Sequence, residues 1–383
     1  MDKKLEIYVH IPFCAKKCNY CDFLSACFPY EDQENYIKKI TDELIDTSVF
    51  ARGYTVSSLF IGGGTPSIID PDGIKAIVDT VRRFYNVSEN AEITIECNPG
   101  STLRHKFVKY REAGINSLSI GLQSADNNEL KTLGRVHTFE EFLKCFQVAR
   151  MEGFDNINVD LINCFPTQTA QSWKKTLKNV LMLRPEHVSV YNLIVEEGTP
   201  FGDMQKEGTL ELPAEEEMDE IDRVTREVLS QQRYHRYEVS NYAKEGHECR
   251  HNKGYWTGVP YLGFGTGAAS YFEGVRYRNE SDLYKYLESP TMFADIESFI
   301  LSKKEIERLT KEEKMKEFMI LGLRMTEGVS ETDFLVRFGV QLMDVYGGII
   351  NKYLRMGLLI KDGYRIRFSD RGIDVSNIIL ADF

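Results

Sequence analysis

The chain has no apolar run approaching the ~20 residues that a membrane-spanning helix needs. Its first residues, MDKKLEIYVHIPF, also lack the form of a signal peptide. A charged residue and a histidine interrupt the apolar part, and no small-residue cleavage site follows. Excess positive charge is missing too. The 47 Lys and Arg stand against 58 Asp and Glu, a net charge of −11 with the acidic residues dispersed, which suits nucleic-acid phosphates poorly. There is neither an internal repeat nor a low-complexity stretch, so a repeat array has no support. What remains is a globular composition, 42% hydrophobic and 27% charged, over 383 residues. That length exceeds what one hydrophobic core usually serves, so a large domain and a smaller one are expected. A cytoplasmic setting keeps thiols reduced, and there the eight cysteines read as ligands or core residues rather than disulfides.

The first ~235 residues alternate β-type runs with amphipathic helical stretches, the pattern of parallel βα units. Strands are expected at 5–11, 57–63, 92–98, 117–123, 156–162 and 187–193. Six strands with helical crossovers make a partial (β/α)6 barrel, two units short of a closed eightfold one. Almost every strand ends in something chemical: HIPFC, GGGTPS, ECNPG, GLQS, DLINCFP and YNLIVEEGT. In parallel barrels those ends face the active site. A long charged helix is expected over 214–233, then a loop-rich segment. The last ~80 residues read as helices, KKEIERLTKEEKMKEFMILGLRM and DFLVRFGVQLMDVYGGIINKYLRMG, closed by a hairpin with Asp-Gly at its turn. Helices followed by a two-stranded wing resemble a winged-helix module. Its near-balanced charge favours a structural or partner-docking role over DNA binding.

Cys14, Cys18 and Cys21 fall within eight positions directly after the first strand. Three thiolates are one short of a closed zinc site, for which His10 or Cys27 would have to serve as the fourth ligand. Soft thiolates also suit iron–sulfur clusters, and three of them on a four-iron cube leave one iron open to a small chelating ligand. Around them, Gly62–Gly63–Gly64–Thr65–Pro66 permits close backbone approach. Glu96, Gln123 and Arg135 are polar side chains at or near strand ends, placed to contact a polar ligand. Asp160 lies inside an apolar strand, where a carboxylate needs a polar partner. Taken singly, each of these is as readily an ordinary barrel-rim contact.

The C-x3-C-x2-C spacing with its aromatic-rich turn and partial barrel resembles the radical S-adenosylmethionine (SAM) superfamily. That resemblance implies a [4Fe-4S] cluster on Cys14, Cys18 and Cys21, SAM on its open iron, and Tyr20 beside the adenine. YVHIPFCAKKCNYCDF, GGGTPS, SIGLQS, LGRVH and VDLINCFP further resemble the oxygen-independent coproporphyrinogen III oxidase (HemN) group, essentially end to end. By position, the implied SAM contacts are Tyr8, Gly63, Gly64, Thr65, Glu96, Gln123, Arg135, Asp160 and Ile194. Two departures separate the chain from the oxidase. Phe23 stands where the oxidase has a further cysteine, and Tyr8 follows Met1 too closely for the oxidase's N-terminal extension. The CDF form and HNKGYW resemble instead the HemW branch of heme chaperones.

In that branch His251, Asn252, Tyr255 and Trp256 would serve heme, with His251 a candidate iron ligand and Cys249 or His247 a competing one. Read without the resemblance, the same loop satisfies backbone groups and packs a domain junction. Ala269 replaces a histidine common among relatives. The expectation is therefore an α/β protein: a partial (β/α)6 TIM-like radical SAM barrel over 1–235, a loop-rich extension over 236–300, and a helical, winged-helix-like module over 301–383. Its implied cofactors are the cluster, SAM and heme. Its implied role is to carry heme to acceptor hemoproteins, respiratory and membrane-bound ones included. A homodimer and peripheral attachment to the inner membrane face are the assemblies the resemblance allows. The competing activity is oxidative decarboxylation of coproporphyrinogen III.

Overall fold

A computed structural model describes residues 3–101 and 104–383. Strands β1 (Lys3–Ile11), β2 (Tyr54–Gly63), β3 (Val87–Cys97), β4 (Ser117–Gln123), β5 (Ile157–Asn163) and β6 (His187–Asn192) pair in chain order, all parallel. Their sequences alternate, and the alternation sorts two faces. Leu5, Ile7, Val9, Ile11, Leu59, Ile61, Ile93 and Ile95 are buried towards the outer helices. Alternate positions are polar and line the barrel's interior: Tyr8, Glu92, Thr94, Glu96, Ser117, Ser119, Asn158, Asp160, His187 and Ser189. The barrel thus has an apolar outside and a polar inside.

Helices Tyr30–Thr47, Pro71–Phe84, Arg104–Ala113, Phe139–Met151 and Ala170–Met182 supply the crossovers. Several start where the sequence offers a cap. Thr138 and Glu141 form a capping box, Thr169 does so with Ser172, and Asp70 accepts from the Asp72 amide ahead of Pro71. The barrel stays open, because the sheet runs on past both β1 and β6 instead of joining them.

Segment 236–300 is more regular than its composition indicates. Tyr261–Phe264 lies parallel to β1, and Ala269–Phe272 and Val275–Arg278 follow antiparallel, extending the sheet. The first part of the expected helix KKEIERLTKEEK is corrected. Lys304–Arg308 is an exposed edge strand against Val275–Arg278, held by Arg278–Glu305 and Lys304–Glu280 ion pairs, so pairing overrides helix propensity there. The helix proper is Lys311–Gly322, set by a Thr310–Glu313 capping box. Val329–Ser330, helices Glu331–Phe338 and Leu342–Arg355, and the hairpin Leu359–Asp362/Arg365–Phe368 complete a winged-helix order. Gly339, at φ +71°, separates the two helices that had read as one. This module has its own core, including Met319, Leu323, Phe334, Leu342, Ile350 and Ile366. Among the described residues no helix is long and apolar enough to cross a membrane.

Candidate functional site

The cysteine loop leaves β1 at its C-terminal end and is stitched to the neighbouring strand end. The Cys14 amide donates to the Ala26 carbonyl, and the Gly64 and Thr65 amides donate to the carbonyls of Ile11 and Phe13. The glycines are there because nothing larger fits. A Cβ on Gly64 would stand 2.9 Å from Cys14 Sγ, and one on Gly63, at φ +119°, 2.8 Å from the His10 ring. All three thiols are free and half-buried. Thr65 Oγ1 lies 3.6 Å from Cys14 Sγ, and Arg135 Nη1 donates to Cys18 Sγ at 3.5 Å. Burial, reinforced by Cys18 and Cys14 nearby, pushes the Cys21 thiol up to about 11.

No three Cys, His, Asp or Glu side chains among the described residues stand close enough to share one metal ion. A four-iron cube gives each thiolate its own iron and tolerates wider spacing. The three thiols, a guanidinium beside one of them and a strand end stripped of Cβ atoms fit such a cluster.

Beside this loop the strand ends present polar groups that are only partly met. Glu96 accepts one bond, from the Gly63 amide at 3.1 Å. Burial, with Asp160 adding its charge, raises Glu96 to about 8. Asp160 accepts from Ser119 Oγ at 2.7 Å and Asn158 Nδ2 at 2.8 Å. Arg135 Nη2 donates to the Gly121 carbonyl, while its buried Nε has no partner among the described residues. Gln123 and Cys164, at the ends of adjacent strands, hold φ of +74° and +59°. Such left-handed geometry is uncommon outside glycine and gathers at functional sites. Tyr8 donates to or accepts from His10 Nδ1 at 2.9 Å, and its ring faces the lumen. Tyr20 pairs with Arg135 and packs beside Leu133, Ile162, Phe165 and Phe201. Ile194 is 70% exposed just past β6, and Phe23 is 59% exposed beside the third cysteine. The structure therefore gathers Cys14, Cys18, Cys21, Gly63, Gly64, Thr65, Glu96, Gln123, Arg135 and Asp160 at one end of the barrel.

HNKGYW lies at the other end. Cys249 and the short helix Arg250–Thr257 plug the barrel under the N-terminal ends of the strands. Glu92 of β3 accepts from the amides of Arg250 and His251 and from Cys249 Sγ. Burial, with that carboxylate beside it, holds the Cys249 thiol well above its usual range, as a neutral group. His251 is 1% exposed and both its ring nitrogens are engaged, Nδ1 with Ser58 Oγ at 2.8 Å and Nε2 with Tyr255 OH at 3.0 Å. Its ring stacks on Phe60, centroids 5.2 Å apart. Burial lowers it to about 3, and raises Glu6, 3.8 Å away, to about 9, so the two meet as neutral groups.

A side chain on Gly254 would overlap the Glu6 carboxylate. Asn252 faces the lumen and Trp256 faces the C-terminal module, with the Arg324 guanidinium 5.4 Å from its ring centre. His247 Nδ1 meets Asn156 Oδ1 at 3.2 Å. As it stands, His251 presents no free nitrogen to an iron. Ala269 opens a strand whose neighbour is Tyr261–Phe264.

Between the two ends lies a lumen of about 170 Å³. Sequence reading missed its other polar members. Glu92, Thr94, Asn158 and His187 sit at alternate strand positions, and that period of two was the available signal. His187 bonds Asn158 Oδ1 and Tyr237 OH through its two nitrogens.

Known proteins resemble the chain along its whole length. Residues 8–180 match the radical SAM superfamily and residues 309–375 the HemN C-terminal domain. The heme chaperone HemW of Bacillus subtilis (strain 168) is 32% identical over 377 residues, 98% of each chain. That of Lactococcus lactis subsp. lactis is 31% identical over 383 residues, 100% of this chain and 98% of the relative. Among solved structures, the coproporphyrinogen III oxidase HemN from Escherichia coli, a radical SAM enzyme, superposes with a TM-score of 0.85. It covers 99% of this chain and 90% of its own, at 22% identity, a likeness of fold.

Proposed function

The chain belongs to the HemW family of the radical SAM superfamily, and from this we propose that it binds heme and passes it to acceptor hemoproteins, respiratory ones included. The observation that carries the reading is the likeness to two heme chaperones across both the barrel and the C-terminal module. Phe23 supports it, since an exposed phenyl ring stands where the oxidase resemblance calls for a fourth thiol.

In this reading Cys14, Cys18 and Cys21 hold a [4Fe-4S] cluster. When bound, the cluster supplies an open iron for the amino and carboxylate groups of SAM and an electron for C–S cleavage. The residues around it do ordinary electrostatic work. Arg135 offsets thiolate charge at Cys18 and keeps Nε available to a ligand carboxylate. Glu96 is held protonated near neutral pH by burial and, once ionised, can accept from the N–H groups of an amine beside it. Gly63, Gly64 and Thr65 let that ligand lie against backbone, with Tyr8, Tyr20, Gln123, Asp160 and Ile194 as the remaining contacts.

The test uses the anaerobically reconstituted chain. Hemin should bind one to one and pass to an apo-cytochrome, and coproporphyrinogen III with SAM and reductant should be left unchanged. Decarboxylation of the porphyrinogen, or failure to bind hemin, overturns the proposal.

A further inference from the structure

Where would heme sit, if His251 has no free nitrogen? A second cavity, about 260 Å³, opens between the barrel's plug and the C-terminal module, and it adjoins a wider one of about 560 Å³. Gly258, Tyr271, Lys314 and Arg337 line both. The barrel side of the cleft is a wall of rings, Tyr255, Trp256, Tyr261 and Tyr271, with Tyr255 and Tyr261 packed edge to face 4.6 Å apart.

The opposite side carries charge of both signs. Its Glu317 is paired across the cleft with Arg276 of the barrel side at 2.7 Å, and its Arg365 with Glu327 at 3.6 Å. Asp333 lies in the first turn of its own helix, where backbone amides favour a carboxylate. Lys314 and Arg337 are different. Among the described residues neither has a carboxylate partner within ion-pair distance, and Arg337 makes only a 3.3 Å bond to the Thr257 carbonyl. Each faces a glycine of the barrel side. A Cβ on Gly274 would stand 2.8 Å from Lys314 Nζ, and one on Gly258 3.0 Å from Arg337 Nη1. In the wider cavity they are joined by Lys311, against a single carboxylate, Glu273, which already accepts from Tyr54.

Flat apolar walls facing uncommitted cations recognise a planar ring with acids on its edge. We infer that this cleft, with Lys314 and Arg337 as its carboxylate clamp, is where the chain holds a planar aromatic carboxylate, which on the reading above is heme gripped by its propionates. Tyr255 then stands as the partition between this cleft and the barrel lumen, since it lines both. His251 acts behind that partition as a positioning residue for Tyr255.

The experiment titrates hemin and hemin dimethyl ester, whose acids are capped, into the reconstituted full chain and into a Lys314→Glu/Arg337→Glu variant, followed by the Soret band. The parent should bind hemin at least tenfold more tightly than the variant does. The ester should bind both equally and weakly, with the cluster chromophore unchanged in each. A Lys314→Gln/Arg337→Gln variant should fall between, and serves if charge reversal disturbs folding. Equal hemin affinity in parent and both variants overturns the cleft and leaves heme binding standing. A parent that binds no hemin overturns both.

Discussion

The two ends of the barrel are built from the same residue types and put to opposite uses. At the plugged end the polar groups are largely met. Glu92 takes two amides and a thiol, His251 is bonded through both nitrogens, and His187 likewise. Glu6, with one oxygen unpartnered, and Trp256, with its indole nitrogen unpartnered, are exceptions among the described residues. At the cysteine end the thiols, Glu96 and Arg135 are left partly unmet, and two non-glycine residues hold left-handed backbone. Satisfied polar networks stabilise, whereas unmet ones wait for a ligand. The contrast teaches that a conspicuous motif such as HNKGYW and a conspicuous cysteine trio need not do the same kind of work.

If that division holds, damage at one end should spare the other. The largest effect is expected from Cys18→Ala, which should abolish the iron–sulfur absorbance and the bound iron and sulfide while leaving far-UV circular dichroism unchanged. Iron and sulfide at parental levels would refute the ligand assignment.

His251→Ala should do the reverse. It leaves the Ser58 and Tyr255 hydroxyls buried without partners and opens a cavity, at a cost of about 2–4 kcal/mol. Urea unfolding should show it as a lower midpoint, with cluster content retained. An unmoved midpoint would remove the plug's structural role.

Glu6→Gln should be milder and opposite in sign. Burial raises Glu6 from 4.5 to about 9, so its folded form keeps a proton that the unfolded chain has lost. Stability is therefore full below 4.5 and declines as pH rises towards 9. At about 1.36 kcal/mol per unit, the amide variant gains at most roughly 3 kcal/mol at pH 7 and nothing below the unfolded value. Unfolding curves at pH 4 and pH 8 that shift equally would contradict this.

The smallest effect concerns Glu96, raised to about 8. If it must ionise to accept from the SAM amino group, affinity should fall as pH drops below that value, by at most roughly eightfold between pH 8.5 and 7. Calorimetric binding that is flat in pH would place Glu96 outside the contact.

The six strands were readable because parallel barrel strands carry their own alternation, and chemical residues cluster where such strands end. The cysteine trio was readable for a related reason: its members are close in sequence as well as in space. The plug was not. His251 depends on Ser58, an unexceptional serine 193 positions away, and Gly254 on Glu6 at the far end of the chain. The strands Tyr261–Phe264 and Val275–Arg278 are four residues each, too short to show a period. Lys304–Arg308 consists mostly of good helix formers and becomes a strand only because an edge is waiting for it.

The plug also fixes an order of events during synthesis. Everything at the cysteine end lies within residues 8–194, whereas the helix that closes the opposite end begins at Arg250. Until residues 249–254 are made, Glu92 lacks the amide and thiol donors that meet it, and Glu6 lacks the helix that packs against its carboxylate. The burial that raises both acids is thus completed by residues far along the sequence from the strands that carry them.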